Sequence, residues 1–253
     1  VISGKLTVEG PIKKDKTSIL LSARRTWIDL FTQPIINTLQ NKIDFGDYNG
    51  NGKYYFYDIN GKINHKFSEK DRLYLSIYSG KDDFFAKIKE ESFDEFLNEK
   101  NGEIYNTSLN ANTEFGLAWE NFTTAIRWNH VINKKLFSNT TFLYSRYKFD
   151  NTITTNNETI SSSPNNIASS LIETSDYLYR SGIEDIGVKL DFDYAFNSKH
   201  YFKFGASYIK HNFFPGYMDF FADYENFSSD TTIVFSDNYS ERIITSTLNV
   251  III

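Results

Sequence analysis

Asp185-Ile186-Gly187-Val188-Lys189-Leu190-Asp191-Phe192-Asp193-Tyr194-Ala195-Phe196 decides the fold class. In extended backbone, successive side chains point to opposite faces. Ile186, Val188, Leu190, Phe192, Tyr194 and Phe196 then share one face; Gly187, Lys189, Asp191, Asp193 and Ala195 share the other. No helical period fits this alternation. A run of this length suits a tilted strand crossing a membrane, which needs about 9–11 residues. A half-buried strand in water is usually nearer about 5–6.

The same pattern recurs outward in both directions. Asn197-Ser198-Lys199 reads as a tight turn, and beyond it Phe202, Phe204, Ala206 and Tyr208 oppose Lys203, Gly205 and Ser207. Upstream, Ile19, Leu21 and Ala23 alternate with polar residues, as do Ile59 and Ile63, Leu73, Leu75 and Ile77, and Ile126 and Trp128. Strands are expected near 2–9, 17–26, 53–66, 72–84, 119–132, 136–150, 182–196, 200–213 and 240–252. Short turns fall at 10–15, 68–71, 133–135 and 197–199, and long connections at about 27–52, 80–118, 151–181 and 212–240. This strict alternation of short and long is the rule in outer-membrane barrels, with short periplasmic turns and long extracellular loops. The expected fold is therefore all-β: a transmembrane antiparallel β-barrel segment of about nine strands. An odd strand count leaves open edges that hydrocarbon does not tolerate, so the barrel is expected to continue beyond residues 1–253 at both ends. At this strand spacing a 22-stranded barrel takes roughly 600 residues.

Composition agrees and removes other classes. The 253 residues include 23 Phe, 17 Tyr and 3 Trp, an aromatic share of 17%. Interfacial girdles use such residues, and the alternation of faces keeps the mean hydropathy at −0.43. With no cysteine there is no disulfide framework, thiolate metal site or cysteine nucleophile. The net charge of −5 argues against nucleic acid as a partner. No apolar run reaches the length of a membrane helix.

Several runs resemble a known family. Lys5-Leu6-Thr7-Val8-Glu9-Gly10-Pro11-Ile12, followed by Lys16 to Trp27, is similar to the early barrel of TonB-dependent outer-membrane receptors. Tyr55 to His65, Asp71 to Gly80, and Arg127-Trp128-Asn129-His130 with Leu136 to Thr141 resemble further strands of that family. The resemblance implies part of a 22-stranded barrel in a Gram-negative outer membrane. It also implies active uptake of a scarce nutrient: a siderophore, cobalamin, a glycan or a peptide. The partners it implies are outer-membrane lipid, a plug domain, the remaining strands and the TonB complex. Neither a plug nor a TonB-contacting segment is recognisable within the sequence. The alternative reading is a secreted, soluble β-sandwich binding module, such as a carbohydrate-binding domain.

No catalytic, cofactor or metal residue is assigned, and no enzyme is expected. Asp47, Asn49, Asn51, Gly52 and Asp58 match the spacing of a calcium loop, but the twelfth position is Asp rather than Glu and a strand follows. Asn-Gly pairs also form ordinary turns. Asp191 and Asp193 form a carboxylate pair beside Lys189, read as a solvated wall. His65, His130, His200 and His211 lack ligand spacing. Arg24 and Arg25 read as one lumen and one interface charge, and Trp27, Trp119 and Trp128 as interface markers. Residues 212–227 are expected to be loop whose Tyr and Phe are candidates for ligand contact, and 152–170 a mobile Asn/Ser/Thr-rich one. Surface helices are expected around 27–41 and around Phe93, Phe96 and Leu97.

Overall fold

The computed structural model describes residues 3–40, 48–98, 102–162, 168–228, 239–244 and 248–252. Strands β1 (Ser3–Lys13) and β2 (Thr17–Thr26) precede a helix, α1 (Asp29–Gln40). Then come β3 (Tyr48–Lys66), β4 (Asp71–Asn98), β5 (Glu103–Val131), β6 (Leu136–Ser162), β7 (Ala168–Asn197) and β8 (His200–Ser228). Each strand pairs antiparallel with the next. Two short strands, β9 (Tyr239–Ile244) and β10 (Leu248–Ile252), lie along the outer side of β8. The order is a simple meander whose first strand, β1, pairs only with β2.

Three of the four short turns stand where the sequence places them and share one device; the first, expected at 10–15, falls at 14–16 because β1 runs on to Lys13. Asn133 Oδ1 accepts from the backbone N–H of Lys135 at 2.8 Å and of Leu136 at 3.1 Å. Asn197 Oδ1 accepts from Lys199 and His200, each at 2.9 Å. Ser68 Oγ does the same for Lys70 and Asp71 at 3.0 Å. A short polar side chain thus replaces the partner that backbone donors lose where the chain reverses. The remaining turn, between β1 and β2, needs a left-handed residue, supplied by Asp15 at φ 60°.

Beyond the turns the strands run much farther than their alternation indicates. β5 has 29 residues, a span of about 95 Å at strand rise. Over this length the apolar residues change sides. Call the face holding Ile186, Val188 and Leu190 the front. Near the turns the front carries Leu6 and Val8, then Ile19 and Leu21, Ile63 paired with Leu75, Ile126 with Phe142, and Phe142 with Val188. Farther out it carries Lys81, Asp83, Glu120, Lys148, Asp150 and Arg180. Ion pairs knit that charged stretch: Lys81–Asp83 at 3.0 Å, Lys87–Glu114 at 2.5 Å and Lys148–Asp150 at 2.9 Å. On the back the order is reversed, polar near the turns and aromatic beyond.

The sheet is one layer among the described residues. Ala222 is the one buried hydrophobic residue there. Ladder hydrogen bonds and cross-strand pairs hold the sheet together. The apolar front band stays open: Leu6 is 70% exposed, Phe142 57% and Phe204 56%.

These findings correct the barrel reading. The sheet is open, with β1 on one side and the β8–β10 strands on the other. A closed barrel needs a pairing between the outermost strands, and none exists among the described residues. The transmembrane β-barrel segment, the likeness to TonB-dependent receptors and the nutrient-uptake function therefore fail as readings of this fold. The outer-membrane location and the plug, lipid and TonB partners were implied by that likeness and fall with it. None of the helices among the described residues is long and apolar enough to cross a membrane, which says nothing about strands. Of the two readings of the sequence, the open sheet favours the β-rich binding module.

The long loops are corrected too. Residues 80–98 and 103–118 lie on β4 and β5, and the described parts of 151–181 and 212–240 are largely strand. Phe93, Phe96 and Leu97 lie on β4 rather than on a helix. Their ladder partners Ser108, Tyr105 and Ile104 supply the pairing, and that pairing overrides an apolar spacing compatible with either state. The helix expected around 27–41 does form, as α1, with Pro34 inside it.

Candidate functional site

The back face beyond the polar zone carries a transverse row of rings. Register brings them together: Phe56 lies opposite Asp82, Asp82 opposite Trp119, and Trp119 opposite Phe149. Tyr179 follows one step along β7. Trp119 and Phe149 meet edge to face with centroids 6.0 Å apart, and Phe149 and Tyr179 at 6.3 Å. Tyr54 and Phe56 extend the row on β3, with centroids 6.4 Å apart. From β3 to β7 the row spans about 19 Å at ordinary strand spacing. Its rings are half-buried and meet in two groups on either side of Asp82, Tyr54 with Phe56 and Trp119 with Phe149 and Tyr179, through tilted contacts of the kind aromatic quadrupoles favour.

Polar groups are set among the rings. The Tyr54 hydroxyl donates to Asp82 Oδ1 at 2.9 Å. Burial, and then that carboxylate, raises the Tyr54 phenol above its ordinary pKa and keeps it a donor at neutral pH. Asn151 sits on β6 between Leu117 and Tyr179, and its buried Oδ1 has no partner among the described residues. The Tyr179 hydroxyl donates to the Pro215 carbonyl at 2.8 Å. Next to it Gly216 has φ 142°, and a Cβ there would lie 2.5 Å from the Tyr179 ring. The register of β7 with β8 shifts at this point, so the irregularity shapes the floor under Tyr179.

The residues singled out in the sequence are scattered. Arg24 pairs with Asp58 at 2.6 Å on the back, while Arg25 pairs with Asp29 at 2.6 Å and stacks over Tyr55 at 5.3 Å. Asp191 pairs with Lys189 at 3.3 Å and Asp193 with Lys203 at 3.5 Å, on an open sheet with no barrel lumen for them to line. Each histidine has its own local partner: Thr17 for His65, Asp71 for His130, Asn197 for His200 and Asp185 for His211. Among the described residues no three His, Asp or Glu side chains are grouped to hold a metal ion. Asp47 of the calcium-loop motif lies outside the described residues; Asn49, Asn51 and Asp58 lie along extended β3 and do not converge. Trp128 is 45% exposed on the front, whereas Trp119 belongs to the back-face row. The tryptophans thus do not mark one belt. Residues 212–227 lie on β8 rather than in a loop.

The row escaped the sequence reading because its members on different strands, Phe56, Trp119, Phe149 and Tyr179, are 30 or more residues apart along the chain. One signal was present. Each short turn fixes the register of its hairpin, and counting outward from Asn133–Lys135 brings Trp119 to Phe149.

No protein-family model, curated protein or solved structure matches this chain.

Proposed function

We propose that this chain is a non-catalytic binding module whose back face takes up a carbohydrate chain along the aromatic row. The row itself carries the proposal: Trp119 against Phe149 and Phe149 against Tyr179 on one face of the sheet, flanked by Asp82 and Asn151. A sugar ring has an apolar C–H face and a rim of hydroxyls. Aromatic faces carry the negative side of a quadrupole and attract such C–H groups. Carboxylates and amides beside the rings accept and donate to the hydroxyls. A row of about 19 Å fits a short oligosaccharide better than a single sugar.

Calorimetric titration of the purified chain with neutral glucan, mannan and xylan oligosaccharides tests this. At least one series is expected to bind saturably, with affinity rising with chain length. Trp119→Ala and Tyr179→Ala should each weaken binding about tenfold or more, and Trp119→Phe should retain most of it. The proposal is wrong if no series saturates or if both alanine variants bind like the unaltered chain.

A further inference from the structure

A second feature of the back face lies eight residues along β4 from Asp82, about 26 Å away at strand rise. There a hollow of about 300 Å³ is lined by Lys62, Tyr74, Arg127, Thr141, Lys189 and one carboxylate, Asp191, among others. Register explains how residues from five strands gather: Tyr74 pairs with Arg127, Arg127 with Thr141, and Thr141 with Lys189. The Arg127 guanidinium lies over the Tyr74 ring at 4.4 Å, and the Lys62 ammonium lies 5.7 Å from the same ring. The ring thus holds both cations in place by its negative face.

The three cations of the lining outnumber its one carboxylate, Asp191. Lys189 is paired with Asp191. Among the described residues Arg127 and Lys62 make no ion pair with any carboxylate. The side chains around Arg127 on its face are Tyr74, Arg72, Ser76, Ala125, Asn129, Asn139, Thr141 and Leu143, none of them acidic. Arg127 Nε is buried and has no hydrogen-bond partner among the described residues. A planar guanidinium fork and an ammonium lining one hollow can each take an oxygen of a tetrahedral or planar oxyanion.

We infer that this hollow binds an oxyanion, the phosphate or sulfate group of a small ligand, between Arg127 and Lys62. The site is independent of the aromatic row. Titration with inorganic phosphate and with inorganic sulfate at low ionic strength, followed by calorimetry, tests it. Saturable binding is expected, weakening steeply with added sodium chloride. Arg127→Gln should weaken it at least tenfold, Lys62→Gln several-fold, and Arg127→Lys to an intermediate degree because the charge stays and the fork is lost. Trp119→Ala should leave anion binding unchanged, so failure here and failure of the carbohydrate reading are told apart. Comparing a sulfated with a neutral disaccharide shows whether the group is taken free or as an ester. The inference is overturned if neither anion saturates, or if Arg127→Gln binds as well as the unaltered chain while its far-UV circular dichroism is unchanged.

Discussion

Asp150 shows how single side chains govern the outer, charged half of the front face. Arg180 reaches it with Nε at 2.6 Å and a second nitrogen at 2.8 Å. Burial pushes the Asp150 carboxyl up, but hydrogen bonds from Arg180 and Lys148 outweigh it and hold the carboxyl below its ordinary pKa. The stability it adds is therefore present above its unfolded pKa of about 4 and is lost as pH falls through the lower folded value. Asp150→Asn is expected to cost roughly 1–2 kcal/mol at pH 7, since solvent screens part of the pair. Urea unfolding should show the gap between variant and unaltered chain closing below about pH 4; a gap independent of pH would contradict the assignment. Gly216 makes a second test. Its φ of 142° and the Tyr179 ring 2.5 Å from any added Cβ leave no room for a side chain. Gly216→Ala should lower stability by about 1–3 kcal/mol, read from the urea midpoint, and should weaken carbohydrate binding through displacement of Tyr179.

Among the elements, hairpins organise everything else. Asn133 and Asn197 each cap two backbone donors through one side-chain oxygen. Replacing either with alanine removes these bonds and is expected to cost about 1 kcal/mol, while aspartate, which keeps an acceptor, should cost less. Equal losses for both replacements would show that the side-chain oxygen is not what holds the turn. These turns were legible because turn chemistry is local, and so were the strand segments beside them, where one face is polar and the other apolar. The outer halves were not legible as strand. From Ser79 on β4 the front becomes Lys81 and Asp83 while rings move to the back, so the alternation loses its contrast. Stretches such as Thr152–Ser162 are polar on both faces and read as loop, yet they are held in β-pairing by neighbours on β5 and β7. Helix α1 was legible from its apolar spacing despite Pro34. The aromatic row and the Arg127 hollow were hidden because both depend on pairing between strands far apart in the sequence.

For the whole molecule, the decisive features are a single layer and open edges. Isoleucine and phenylalanine side chains of the front band are already exposed, with Ile126 at 44% and Phe142 at 57%. Changing both to lysine is expected to alter stability by no more than about 0.5 kcal/mol, as for surface substitutions generally, and to reduce binding of a hydrophobic dye. A large loss of stability would mean that the band is covered rather than open. Alternating strands led the sequence reading toward a barrel, because alternation fixes which face a side chain takes but not whether the outermost strands meet. Strand β1 and strand β8 settle that point, and the absence of native cysteine makes the measurement clean. Spin labels at Glu9→Cys and Ser207→Cys, on the same face near the turns, report the separation by pulsed electron paramagnetic resonance. Seven strand intervals separate them in the open sheet, so a distance of roughly 25–35 Å is expected. A distance under about 15 Å would place β1 beside β8, the geometry of neighbouring strands, and would contradict the open sheet.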